Sequence, residues 1–73
     1  MLIEIYSKDN CQFCEQAINR ANVNDNELIV NKLGVDFNRE DLLKIFPTAK
    51  TFPQIKVDGV SIGGWNEFRN MEI

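Results

Sequence analysis

The segment Leu2-Ile3-Glu4-Ile5-Tyr6 is short, apolar and rich in β-formers, and it reads as a strand central to a sheet. Ser7 to Asn10 is a polar turn, with Asp9 or Asn10 suited to cap the element that follows. Cys14, Ala17, Ile18 and Ala21 then recur at i, i+3, i+4 and i+7, the signature of one apolar helix face, and Asn22 to Asn26 closes that helix with turn chemistry. Glu27 to Leu33 reads as a second strand, ended by Gly34. Asn38 is suited to cap a second helix whose first turn carries Glu40 and Asp41. Leu42, Ile45 and Phe46 form its apolar side, and Pro47 stops it. Gln54-Ile55-Lys56-Val57 alternates polar and apolar, Asp58-Gly59 predicts a tight hairpin, and Val60-Ser61-Ile62 returns. Gly63-Gly64 then leads into a short last helix carrying Trp65, Phe68 and Met71.

The predicted order is β-α-β-α-β-β-α. A strand–helix–strand start implies a parallel pair with a right-handed crossover, and the hairpin adds an antiparallel edge. The expectation is an α/β domain over residues 1–73, with a four-stranded mixed sheet flanked by three helices. At 73 residues such a domain buries roughly 60% of the surface its unfolded chain exposes. A content of 44% hydrophobic and 26% charged residues suits an ordinary globular domain.

Eight Lys and Arg against eleven Asp and Glu give a net charge of −3, which argues against a nucleic-acid partner. The first residues are too few and too interrupted for a signal peptide or a membrane span, so a cytoplasmic location is expected and no membrane partner. In that compartment disulfides are rarely structural and are mostly transient or catalytic.

Both cysteines of the chain lie in one C-x-x-C, Cys11-Gln12-Phe13-Cys14. Cys11 falls where the first turn meets the first helix, and Cys14 lies one turn deeper. Residues three apart share a helix face, so the two sulfurs can bond. Free N–H groups and the macrodipole at a helix start favour an anion, and Lys8 adds a positive charge nearby. In such settings thiol pKa values fall from about 8.5 into roughly the 3.5–7.5 range. Cys11 is therefore expected to be the nucleophile, and Cys14 the resolving thiol. Two inert core cysteines would not account for the helix-start placement. Structural zinc takes four ligands, and a chain with no histidine and no further cysteine could supply such a site only across two copies. No metal is expected, and a C-x-x-C within a βαβ pattern points to redox chemistry.

These residues resemble the glutaredoxin family within the thioredoxin-like fold. The resemblance covers nearly the whole chain. It rests on Lys8 after the first strand, on Cys11-Gln12-Phe13-Cys14, on Thr51-Phe52-Pro53 in place of the family's Thr-Val-Pro, and on Gly63-Gly64 before the last helix. It implies that Cys11 attacks and Cys14 resolves, and that Pro53 is held cis beside the active sulfur. Thr51 and Phe52 would then lie in the segment that pairs with the backbone of glutathione as an added strand does. Gly64, Trp65, Asn66 and Glu67 match the stretch that receives the γ-glutamyl end, where a helix start suits a carboxylate and Glu67 suits an ammonium group. Lys8 and Lys50 match basic positions near the glycyl carboxylate.

The centre departs from the family's Cys-Pro-Tyr-Cys. Gln12 restores a backbone N–H that proline lacks, and Phe13 keeps an aromatic wall without the hydroxyl. Full burial is expected for Phe68 and partial burial for Trp65.

The resemblance implies a glutathione-dependent thiol–disulfide oxidoreductase acting on protein disulfides and glutathionylated proteins, with ribonucleotide reductase among the acceptors it suggests. Glutathione would be a co-substrate, with no permanently bound cofactor, and the chain a monomer. Two alternatives belong to the same resemblance. One is a redoxin of this shape reduced by thioredoxin reductase. The other is a carrier holding an iron–sulfur cluster between two chains with glutathione as co-ligand.

Overall fold

Alternation of Ile3, Ile5 and Ser7 with Leu2, Glu4 and Tyr6 gives β1 (Leu2–Ser7) one fully buried face and one half-buried face. In the computed structural model, which describes residues 1–23 and 25–72, β1 pairs in parallel with β2 (Glu27–Lys32). On its other side it pairs antiparallel with β3 (Gln54–Val57), and β4 (Val60–Gly63) completes the sheet in the order β2-β1-β3-β4. The chain is thus α/β, with the expected element order and β1 in the sheet interior. The β3–β4 turn places both Asp58 (φ 51°) and Gly59 (φ 84°) in the left-handed region, as the predicted hairpin requires. Asp58 also ties the sheet to the chain start, where its carboxylate accepts from the Leu2 N–H at 2.8 Å.

One face of the sheet packs against α1 (Gln12–Ala21) and α3 (Trp65–Arg69). Ile3, Ile5, Ala17, Ala21, Ile55, Val57 and Phe68 form that core, with Phe68 fully buried and Trp65 half-buried as expected. The small side chains of Ala17 and Ala21 let α1 approach the sheet closely. On the opposite face α2 (Arg39–Ile45) joins a second cluster of Phe37, Leu42 and Phe46. Tyr6 packs edge-on to Phe37 and Phe46, at 5.2 and 5.1 Å between centroids. Burial, with a smaller contribution from Glu4, raises the Tyr6 phenol above its ordinary pKa. Asn38 caps α2 reciprocally: its side chain accepts from the Asp41 N–H at 2.8 Å, and Asp41 accepts from the Asn38 N–H at 3.2 Å.

Two sequence expectations need correction. The cap of α1 is Cys11 itself, neither Asp9 nor Asn10. Asn10 turns into the left-handed region (φ 55°), whereas a cap needs the extended backbone that Cys11 adopts, and Asp9 pairs instead with Lys32 at 2.6 Å. Met71 lies beyond α3, which ends at Arg69; its side chain still packs against the core, and its carbonyl accepts from the Arg20 guanidinium. Of the two polar positions in the alternating Gln54–Val57 segment, Gln54 is buried and Lys56 half-buried. Of the Asn22–Asn26 turn, Asn24 lies outside the described residues.

Candidate functional site

The turn after β1 ends at Asn10, and the chain enters α1 with Cys11 as its cap. Cys11 and Cys14 form a disulfide with Cα atoms 5.2 Å apart, so residues one helical turn from each other supply both sulfurs. The Cys11 Sγ also accepts from the Cys14 N–H at 3.2 Å. One of the unpaired donors of the helix start is thereby aimed at the sulfur that caps it. Cys11 is half-buried and Cys14 is 2% exposed, so an incoming reactant meets Cys11 first. Gln12 and Phe13, the first residues of α1, are exposed.

Phe13 links this centre to a cleft of about 400 Å³. Its ring stacks on Trp65 at 6.5 Å and 17° between planes, so α1 and α3 share an aromatic wall beside the disulfide. The cleft brings together Phe13, Lys50, Thr51, Phe52, Gly64, Trp65, Asn66 and Glu67. Five expected site residues do not line it: Lys8, Cys11, Gln12, Cys14 and Pro53. Lys8 lies on the far side of Phe52, its ammonium 5.6 Å from the ring centroid. Pro53 is fully buried behind the cleft, and the Phe52–Pro53 bond is cis, as the resemblance implied.

Thr48, Gln54 and Gly63 also line the cleft. Gln54 fastens its floor, donating through Nε2 to the Thr51 carbonyl at 2.8 Å. Its position directly after the proline is the only local signal of this role. The two glycines differ in what they allow. Gly63 adopts φ 108°, a conformation that strains any side-chain-bearing residue. Gly64 has an ordinary extended backbone, but a Cβ there would sit 3.2 Å from the Pro53 carbonyl oxygen. Glu67 folds back over this pair, and its Oε2 accepts from the Gly64 N–H at 3.2 Å.

The arrangement suits a partly polar ligand lying against Phe52 and reaching the start of α3, with Phe13 as the part of the C-x-x-C segment that borders it. Among the described residues no three His, Cys, Asp or Glu side chains converge as metal ligands, and no helix is long and apolar enough to cross a membrane. No family model matches the chain, and no curated protein matches its sequence.

Proposed function

We propose that the chain is a glutaredoxin-like thiol–disulfide oxidoreductase of thioredoxin-like fold, working in the reducing cytoplasm with glutathione as its reductant. The observation that carries this reading is the Cys11–Cys14 disulfide at the start of α1, with a helix N–H on the Cys11 sulfur. An anionic sulfur in that position is stabilised by the donor and by the helix dipole.

In the reduced form the Cys11 thiolate attacks one sulfur of a substrate disulfide. A Cys11–substrate disulfide forms, and the other substrate sulfur leaves as a thiolate. Cys14 then gives up its proton and attacks Cys11, which releases the second substrate thiolate and closes Cys11–Cys14. Two glutathione thiols reverse the closure: the first opens it as a mixed disulfide on Cys11, and the second departs with it as glutathione disulfide. Glutathione would lie against Thr51 and Phe52, its glycyl carboxylate toward Lys8 and Lys50, and its γ-glutamyl end toward Gly64, Trp65, Asn66 and Glu67. Exchange of this kind needs no metal or permanently held cofactor. Protein disulfides and glutathionylated proteins, ribonucleotide reductase among them, are the proposed substrates of a monomeric enzyme.

One observation favours a second reading. The Gly64 N–H, where glutathione's γ-glutamyl carboxylate would dock, is occupied by the chain's own Glu67 carboxylate. A redoxin reduced by thioredoxin reductase would have no need of that donor. NADPH consumption through glutathione reductase, with a small glutathione mixed disulfide as substrate, decides between them. Turnover that vanishes in Cys11→Ser supports the first reading. No turnover until thioredoxin reductase replaces glutathione supports the second.

A further inference from the structure

Phe52 separates two concavities. Beyond it from the glutathione cleft, a groove of about 280 Å³ runs between α2 and the segment leading to Pro53, and the two share Lys50, Thr51 and Phe52 as a common wall. Its floor is apolar: Leu42 is buried and Phe52 half-buried, while Leu43 is 44% exposed. Its rim carries Lys8, Arg39 and Lys50, and none of the chain's eleven acidic residues lines it. Among the described residues none of these three cations makes an ion pair. Of the acids nearest in sequence, Asp9 pairs with Lys32 and Asp41 caps α2, while Glu40 is exposed and lies outside the groove lining.

Three of eight cations thus converge on one groove of mixed polar and apolar lining in a chain of net charge −3. One glycyl carboxylate does not account for them, because Arg39 and Leu43 extend the groove along α2, away from the start of α3. We infer that this groove docks an acidic segment of the protein substrate, flanking the disulfide that Cys11 attacks. Carboxylates on the segment would meet the rim cations, and an apolar side chain would cover Leu42 and Leu43. The inference rests on the redox reading for its substrate class, while the charge pattern alone selects the occupant. On a chain that repels acidic partners overall, a local cationic rim fixes where and in which orientation such a partner approaches.

The test uses a short disulfide-bonded peptide with Asp and Glu flanking its cysteines, and a second with Asn and Gln in their place. Binding to the oxidised, full chain is read by fluorescence anisotropy, and turnover separately with both reductases. Arg39 opens α2, where glutamate suits the helix dipole, so Arg39→Glu leaves the fold intact. Lys44→Glu, on the same helix but lining a different cleft, is the control. The acidic peptide should bind more tightly than the neutral one, and less so as salt rises. Arg39→Glu should weaken the acidic peptide about five- to tenfold and raise its KM equally, with kcat and small-disulfide turnover unchanged. Lys44→Glu should change binding by about twofold or less. Equal weakening of both peptides, or no weakening of the acidic one, overturns the groove assignment. Charge-selective binding without turnover of any disulfide supports the groove and overturns the redox reading. Turnover of small disulfides without charge-selective binding does the reverse.

Discussion

Gly64→Ala probes the closest backbone approach at the site. Gly64 has φ −108°, which alanine adopts freely, so the substitution carries no conformational strain of its own. Its cost is steric. The new Cβ would lie 3.2 Å from the Pro53 carbonyl oxygen, inside ordinary van der Waals contact. That oxygen cannot simply withdraw. Pro53 is fully buried, Gln54 after it is paired with Tyr6 across the sheet, and the Gln54 side chain holds the Thr51 carbonyl. Overpacking of this kind costs about 1–3 kcal/mol. A domain of this size loses roughly 4–8 °C in Tm per kcal/mol, so about 2 kcal/mol lowers Tm by about 8–16 °C. With a total stability of about 4–11 kcal/mol the variant stays folded at room temperature, and its activity can be compared. Thermal unfolding followed by circular dichroism reads the first effect. The coupled assay reads the second, a raised KM for glutathione as the Thr51–Phe52 wall shifts, with alkylation of Cys11 unchanged. A Tm within about 2 °C of the wild type would refute the close approach of α3 to the proline segment.

The reduced protein should alkylate with iodoacetamide at Cys11 well below pH 7, while buried Cys14 stays unmodified; equal and slow reaction of both at pH 7 would contradict the helix-start argument. Cys14→Ser should keep activity on glutathionylated substrates and lose most reduction of protein disulfides; loss of both would give Cys14 a structural role. Tyr6 is the one tyrosine, so phenolate absorbance titrates it alone, with a midpoint above the ordinary value of 10.0. The folded state holds that proton more tightly than the unfolded state, so the stability linked to Tyr6 is complete below pH of about 10 and is lost as pH rises through the folded value. Tyr6→Phe should flatten that alkaline decline, and a midpoint at or below the ordinary value would contradict the burial of the ring.

What was legible in the chain was what neighbouring residues decide among themselves. Asp58-Gly59 specifies its turn because both positions tolerate positive φ, and Asn38 with Asp41 closes a cap within one turn of α2. The cap of α1 was misread for the same local reason: Asp9 and Asn10 have strong cap propensity, and cysteine does not. The left-handed turn at Asn10 outweighs propensity there and hands the position to Cys11, which joins the helix start to the reactive sulfur. Met71 sits at helical spacing from Phe68 and its N–H donates to the Phe68 carbonyl at 3.1 Å, while its own carbonyl accepts from Arg20, a long-range bond that no local pattern reveals.

The site divides along the same line. The paired cysteines and the proline segment are contiguous motifs; the spacing of the first allows the Cys11–Cys14 bond, and the resemblance carried by the second implies the cis Phe52–Pro53 bond. The cleft walls could not be read in this way, because Phe13 meets Trp65 only once α1 and α3 share a face of the sheet. The cationic groove is the extreme case. Lys8 follows β1, Arg39 opens α2 and Lys50 precedes the proline, and each alone is an ordinary surface cation. Convergence with an uncovered leucine and no carboxylate is a property of the fold, and under the inference drawn above it would distinguish one protein substrate from another. Disulfide exchange at Cys11 is indifferent to what flanks the substrate sulfur, so discrimination among proteins has to come from surfaces beside the reaction, and Arg39→Glu separates the two contributions.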